Sequence, residues 1–285
     1  MKIWMNGKLV DKEDAKVSVF DHGLLYGDGV FEGIRVYNGK IFQCNAHLDR
    51  LFESAAAINL ELHYSRSELE KGMYEAMEAN SITDGYIRLV VTRGIGTLGL
   101  NPYLCRQSAT FAIVDQIAMY SEQMYREGIG VIVAKTRRVH ESMMDPRVKS
   151  LNYLNNIKAK MEAVHAYVPE AIMLNADGYV CEATGDNVFI VRNAKLITPP
   201  SEAGILLGVT RNIVMHLARE NDVPVLEDNF GVEDLYEADE CFMTGTGAEV
   251  IAVTSVDGRR IGDGITGPVT RKLFDLFREF TTAGV

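Results

Sequence analysis

The chain is poor in the residues that build the commonest special-purpose sites. Its four cysteines, Cys44, Cys105, Cys181 and Cys241, lie far apart with no CxxC pair, which argues against a disulfide framework and a zinc site. The six histidines stand singly, with no HxxxH pair, and His22 and His47 are not spaced as ligands, so metal catalysis has no support. Positive charge is in deficit: 29 Lys and Arg against 39 Asp and Glu give a formal −10. That balance repels polyanions and speaks against nucleic acid or an anionic membrane as partner. No run approaches the ~18 apolar residues of a membrane span, and the opening MKIWMNGKLVDKED carries no apolar core of a secretory signal. A cytoplasmic chain acting on small molecules is expected.

What is present is ordinary globular composition, 47% hydrophobic and 24% charged over 285 residues, enough for about two domains. We expect domains at 1–119 and 128–285, joined by a polar linker at 120–127. Alternation marks strands at 2–5, 29–37, 86–92, 109–116, 130–136, 171–175, 187–191, 240–244 and 250–255. Apolar spacing near 3.6 marks helices at 46–58, 67–80, 151–166, 211–221 and 268–279. Early strands that follow one another suggest hairpins, so the fold class expected is α+β with mixed sheets. Gly94–Gly99 matches GxGxxG after a strand, but Leu100-Asn101-Pro102 follows where a helix would have to start. A surface loop is the better reading of it.

Three places carry chemistry. Lys149 stands just before a predicted helix whose Leu151, Leu154, Ile157 and Met161 form the expected buried stripe. A lysine at the positive end of a helix macrodipole is favoured in the neutral form that attacks carbonyls; an exposed surface lysine is the alternative. Gly204–Arg211 leads into a helix and Thr244–Glu249 turns between two strands. Both offer bare backbone amides to an anion. With no GxxxxGK[ST] in the chain, a phosphorylated cofactor fits better than a nucleoside triphosphate. Glu182 lies between two apolar strands and needs a partner there, either a protonated pyridine nitrogen or an arginine.

Together these residues resemble the class IV, fold-type IV aminotransferases that use pyridoxal 5′-phosphate (PLP). The resemblance covers nearly the whole chain: Tyr26 to Arg35 (YGDGVFEGIR), His47 to Arg50 (HLDR), Tyr86 to Arg88 (YIR), Lys149, Glu182, Gly208 to Thr210 (GVT), Thr244 to Glu249 (TGTGAE) and Gly267 to Thr270 (GPVT) occur in family order. It implies that Lys149 forms the Schiff base with PLP and shuttles the proton between Cα and C4′. It also implies that Glu182 pairs with the pyridinium nitrogen. Arg50, the backbone of Val209 and Thr210, and Thr246 would hold the phosphate, with Tyr153 near the phenolic oxygen and Leu206 against the ring. Lys149 to Tyr153 is one residue shorter than in several bacterial members, which leaves the place of Tyr153 open.

FEGIR (Phe31 to Arg35) and YIR (Tyr86 to Arg88) resemble the branched-chain amino-acid aminotransferases. Period two puts Phe31, Gly33 and Arg35 on one strand face and Tyr86 with Arg88 on another. By resemblance Tyr26, Phe31, Gly33 and Arg35 line the substrate site. Arg88 takes the γ-carboxylate of glutamate, while Tyr86 and the amides of Thr246 and Gly247 take the α-carboxylate. The first domain would then read the substrate and the second would bind PLP and carry Lys149. D-amino-acid aminotransferases, the nearest rival, place an arginine and a histidine after the Thr-Arg-Gly at 92–94; this chain has Ile95-Gly-Thr-Leu-Gly-Leu100. Two further readings are a lyase of the aminodeoxychorismate type and a binding module without chemistry. The resemblance implies amino acids and 2-oxo acids as ligands. It further implies a homodimer or an assembly of dimers, with Gly94–Leu100 the candidate for a loop completing the partner's pocket.

Overall fold

Strand β3 (Gly29–Tyr37) and strand β5 (Gly85–Thr92) pair antiparallel over their whole length, Gly29 opposite Thr92 and Val36 opposite Gly85. Their alternation sorts one face, Val30, Ile34 and Val36 with Ile87, Leu89 and Val91, into a hydrophobic core. The other face carries Phe31, Gly33, Tyr86 and Arg88, as period two requires. The computed structural model describes residues 1–283; residues 284–285, with which the expected second domain ends, lie outside the described residues. Two compact units are present, the first built mainly from Met1–Ile117 with Val148–Tyr153, the second from Ala118–Arg147 with Leu154–Phe280.

In the first unit β1 (Lys2–Met5), β2 (Lys8–Asp11), the helix α1 (His22–Tyr26), β4 (Lys40–Ile41) and β6 (Ala109–Asp115) accompany them, the strands forming an antiparallel sheet of order β2-β1-β6-β5-β3-β4. Helices α2 (Cys44–Ala57) and α3 (Arg66–Asn80) cover its apolar face with Leu48, Leu51, Leu69, Met73 and Met77. Helix α3 starts at a capping box, Ser65 accepting from the Glu68 amide while Glu68 accepts from Ser65. Its Gly72 is required, since a Cβ there would come within 2.3 Å of the Trp4 ring.

The second unit comprises α4 (Glu122–Glu127), β7 (Ile129–Val133), α5 (Leu154–His165), β8 (Glu170–Leu174), β9 (Val180–Ala183), β10 (Asn187–Arg192), β11 (Lys195–Thr198), α6 (Val209–Glu220), β12 (Val225–Glu227), α7 (Val232–Tyr236), β13 (Glu240–Gly245), β14 (Glu249–Val256), β15 (Arg259–Arg260) and α8 (Pro268–Thr282). Its sheet is mixed, with β14–β7, β7–β8 and β11–β12 parallel. Because β9 pairs with β8 and also meets β10 at Glu182 and Asn187, the strands β10-β13-β14-β7-β8-β9 close into a ring.

Three expectations are corrected. Residues 120–127 are not a linker: Tyr120 is buried, Ser121 caps α4, and the Tyr125 hydroxyl donates to the Ala248 carbonyl. Helix α5 begins at Leu154 rather than at 151, because the segment before it pairs with β3. The Phe31 amide donates to the Lys149 carbonyl and the Leu151 amide to that of Gly29. Lys149 therefore sits in non-helical chain beside β3 within the first unit, away from a helix end, and the macrodipole argument does not apply to it. The stripe of α5 is also reversed. Leu154, Ile157 and Met161 are exposed, while Asn156, Ala159 and Ala163 face the core.

Candidate active site

On the open face of β3 and β5 the side chains interlock. Gly33 leaves the space that the Tyr86 hydroxyl enters, for a Cβ on Gly33 would clash with it directly. The Arg88 guanidinium lies 4.6 Å from the Phe31 ring centre and 5.6 Å from that of Tyr86, and its Nη2 donates to the Tyr86 hydroxyl at 3.4 Å. Lys149 Nζ stands 4.7 Å from the same Phe31 ring and 3.4 Å from the Tyr153 hydroxyl. Tyr153 packs edge-on against Phe31 at 5.1 Å. Lysine, phenol, arginine and apolar ring thus share one surface, an arrangement able to receive a carboxylate at one end and an alkyl chain along the ring. Arg35 points along the same strand face but lies over Tyr37 at 5.6 Å. Tyr26 ends α1 elsewhere, its hydroxyl donating to the Leu98 carbonyl in the 94–100 loop.

Behind this face, Arg50 on α2 forks onto Glu32, with Nε to Oε1 and Nη2 to Oε2 both at 2.7 Å. His47 Nδ1 meets Glu32 Oε2 at 2.8 Å. Burial pushes the Glu32 carboxyl up, but Arg50 and His47 outweigh it and hold it at about 2. Burial likewise pushes His47 below its ordinary value, so the ring is neutral near pH 7 and donates from Nδ1. Sequence reasoning missed Glu32 and His47 as working residues. The signal lies in the strand period: a carboxylate in phase with Val30, Ile34 and Val36 must be buried and must be paired.

In the second unit Glu182 lies on β9 itself and its partner is an arginine. Arg138 Nε donates to Oε1 at 2.7 Å and the Leu206 amide to Oε2 at 2.8 Å. Asn187 Nδ2 in turn donates to the Leu206 carbonyl, which pins that residue from both sides. Helix α6 starts at Val209 with Gly208 as a cap that supplies no side-chain acceptor, so the amides of Val209 and Thr210 lack intrahelical partners. The Thr246-Gly247 turn links β13 to β14, with Thr246 half-buried and Gly247 buried.

This donor set fits a phosphorylated pyridine. Thr244 Oγ1 is buried without a hydrogen-bond partner, and Gly208 and Gly245 leave spaces that a Cβ would fill against Asn187 and Asp186. Glu182 keeps lone pairs beyond the two hydrogen bonds it accepts. Among the described residues no group of three His, Cys, Asp or Glu side chains is arranged to hold a metal ion, and no helix is long and apolar enough to cross a membrane.

The chain is similar over nearly its whole length to known transaminases. The family model for amino-transferase class IV matches residues 29–256. A branched-chain-amino-acid aminotransferase of Pseudomonas aeruginosa is 39% identical, covering 99% of this chain and 94% of that protein. A D-alanine aminotransferase of Listeria monocytogenes is 36% identical, covering 99% and 96%. The structure of a branched-chain aminotransferase from Thermoproteus uzoniensis with norvaline superposes with a TM-score of 0.92 at 40% identity, covering 98% of this chain and 94% of that one. Another branched-chain amino acid aminotransferase, complexed with N-(5′-phosphopyridoxyl)-L-glutamate, gives a TM-score of 0.93 at 36% identity, covering 99% and 94%. The chain belongs to the class IV aminotransferases. PLP is the cofactor of that family.

Proposed function

We propose that the chain transaminates L-branched-chain amino acids with 2-oxoglutarate in the cytoplasm by a ping-pong cycle, giving branched-chain 2-oxo acids and L-glutamate. The observation that carries this reading is the Phe31 ring, which has Lys149 Nζ at 4.7 Å and the Arg88 guanidinium, itself beside Tyr86, at 4.6 Å. Phe31, with Tyr86 seated over Gly33, suits an aliphatic side chain, and a guanidinium suits the γ-carboxylate of glutamate. Tyr86 with the Thr246 and Gly247 amides is assigned to the α-carboxylate, and Arg35 to the edge of the pocket. The phosphopyridoxyl adduct of L-glutamate held by one of the similar structures supports glutamate as the second partner.

When bound, PLP supplies an electron sink for the bond that breaks at the substrate Cα. Lys149 Nζ would carry the proton at the substrate Cα, and the Tyr153 hydroxyl, 3.4 Å from it, would orient the amine. Glu182, its carboxylate kept in place by Arg138 and the Leu206 amide, would hold the ring nitrogen protonated. Arg50, the amides of Val209 and Thr210, and Thr246 would hold the phosphate, and Leu206 would face the ring. The first unit would read the substrate and also carry Lys149, and the second would supply most of the cofactor grip.

The D-alanine aminotransferase relatives keep a second reading alive, a D-amino-acid aminotransferase, with an aminodeoxychorismate-type lyase behind it. Initial rates with L-leucine, L-valine and D-alanine as donors decide between them. The expected order puts L-leucine and L-valine at least ~10-fold above D-alanine, the scale of a mismatched carboxylate contact; faster turnover of D-alanine sinks the L-specific reading. Lys149→Ala is expected to lose both turnover and the visible absorption of the bound cofactor. We further infer a homodimer or an assembly of dimers. The exposed row Leu154, Ile157, Met161 and Val164 on α5 supports it, as do the exposed Leu98 and Leu100 of the 94–100 loop.

A further inference from the structure

Glu32 is a fully buried carboxylate on the core face of β3, and it faces two groups one turn apart on α2. Arg50 grips both of its oxygens at 2.7 Å and His47 adds a third contact at 2.8 Å. Two parallel N–H···O bonds fix the plane and roll of a guanidinium, which a single contact leaves free to swivel. The side chain of Arg50 is thereby ordered in advance, and the entropy of ordering a long stem need not be lost when an anion arrives. The pair is also close to neutral, because the Glu32 charge cancels that of Arg50 at short range. What Arg50 offers a phosphate is then direction more than net charge.

We propose that Glu32, itself held by His47, is the positioning residue that sets the Arg50 guanidinium for the cofactor phosphate. This rests on the proposed role of Arg50 as a phosphate ligand. It makes a prediction of opposite sign to simple electrostatics. Removing the Glu32 charge takes a negative group away from a dianion's binding site, so a Coulombic role predicts tighter phosphate binding. A positioning role predicts weaker binding.

The test compares equilibrium dissociation constants of PLP and of pyridoxal, which lacks the phosphate, on apoprotein of the parent, Glu32→Gln and Arg50→Gln. Glu32→Gln is expected to weaken PLP by about 10-fold, the scale of one charge-assisted hydrogen bond, while pyridoxal changes by less than about twofold. Tighter or unchanged PLP binding overturns the proposal, and so does an equal loss for both ligands, which would mark a purely structural role. If Glu32→Gln does not fold, Glu32→Asp decides by the same ratio. Its carboxylate is retained but drawn back by a methylene, so the fork cannot close and the PLP preference must drop at least ~3-fold; an unchanged preference overturns the proposal. Arg50→Gln separates the two levels. If it leaves the PLP preference intact, the assignment of Arg50 itself is wrong. If it abolishes the preference while Glu32→Gln does not, only the positioning role fails.

Discussion

A carboxylate buried among valine and isoleucine side chains is stable only while it is ionised and gripped, and this gives the Glu32–His47–Arg50 cluster a pH signature. The Glu32 carboxyl is held at about 2 against an ordinary 4.5. Its stabilisation is complete above 4.5 and is lost as the pH falls towards 2. His47 is neutral and buried, its Nε2 without a partner, and burial lowers its pKa below 6.5. An unfolded chain binds that proton more readily, so stability contributed by the neutral ring is present above 6.5 and declines as the pH falls below it. Urea midpoints are expected to fall from about pH 6.5 downward, with a limiting slope of about 1.4 kcal/mol per pH unit for one proton. His47→Gln should flatten the part between 6.5 and 4.5. A profile in that interval identical to the parent's would remove His47 from the account.

Elements of this fold are legible where one periodicity serves one buried face. β3 and β5 alternate cleanly because Val30, Ile34, Ile87 and Leu89 have a helix layer to meet, and the open face with Phe31, Tyr86 and Arg88 follows from the same period. The start of α5 is not legible, because Leu151 continues a helical pattern while its amide is committed to Gly29 of β3, a distant pairing that no local pattern records. The apolar row of α5 reads as core in the sequence because spacing says which residues share a face and not what lies opposite. Strands such as β4 and β15, two residues each, are too short to show any period. Arg138, the partner of Glu182, is hidden for the reason that hides Leu151: the contact is made across β8, whose Leu174 carbonyl accepts from the Arg138 amide, rather than by neighbours in sequence. Within α3, Gly72 is a test of layer spacing. Gly72→Ala gains about 1 kcal/mol of helix propensity but drives a Cβ into Trp4, an overpacking cost of about 1–3 kcal/mol. A net loss of stability is expected in thermal melts; a variant more stable than the parent would show that the sheet and helix can separate freely.

The whole molecule is acidic, at −10, yet its first unit collects Arg88 and Lys149 around Phe31, a local cationic patch suited to dicarboxylate ligands, while the charge of Arg50 is offset by Glu32. The same scale governs assembly. Ile157→Asp on the exposed row of α5 is expected to shift sedimentation towards the monomer, since an unpaired charge in an apolar contact costs several kcal/mol. Sedimentation identical to the parent's would free α5 of any role in assembly.

Trp4 is the chain's single tryptophan and lies in the core of the first unit, edge-on to Tyr64 at 5.1 Å. Its emission therefore reports on the packing of that unit alone, and the nine-stranded sheet of the second unit has no indole of its own. Backbone circular dichroism samples both units. The two signals, followed together through a denaturant titration, constitute a built-in domain-resolved readout: coincident midpoints mean one cooperative transition, and separated midpoints identify which half melts first.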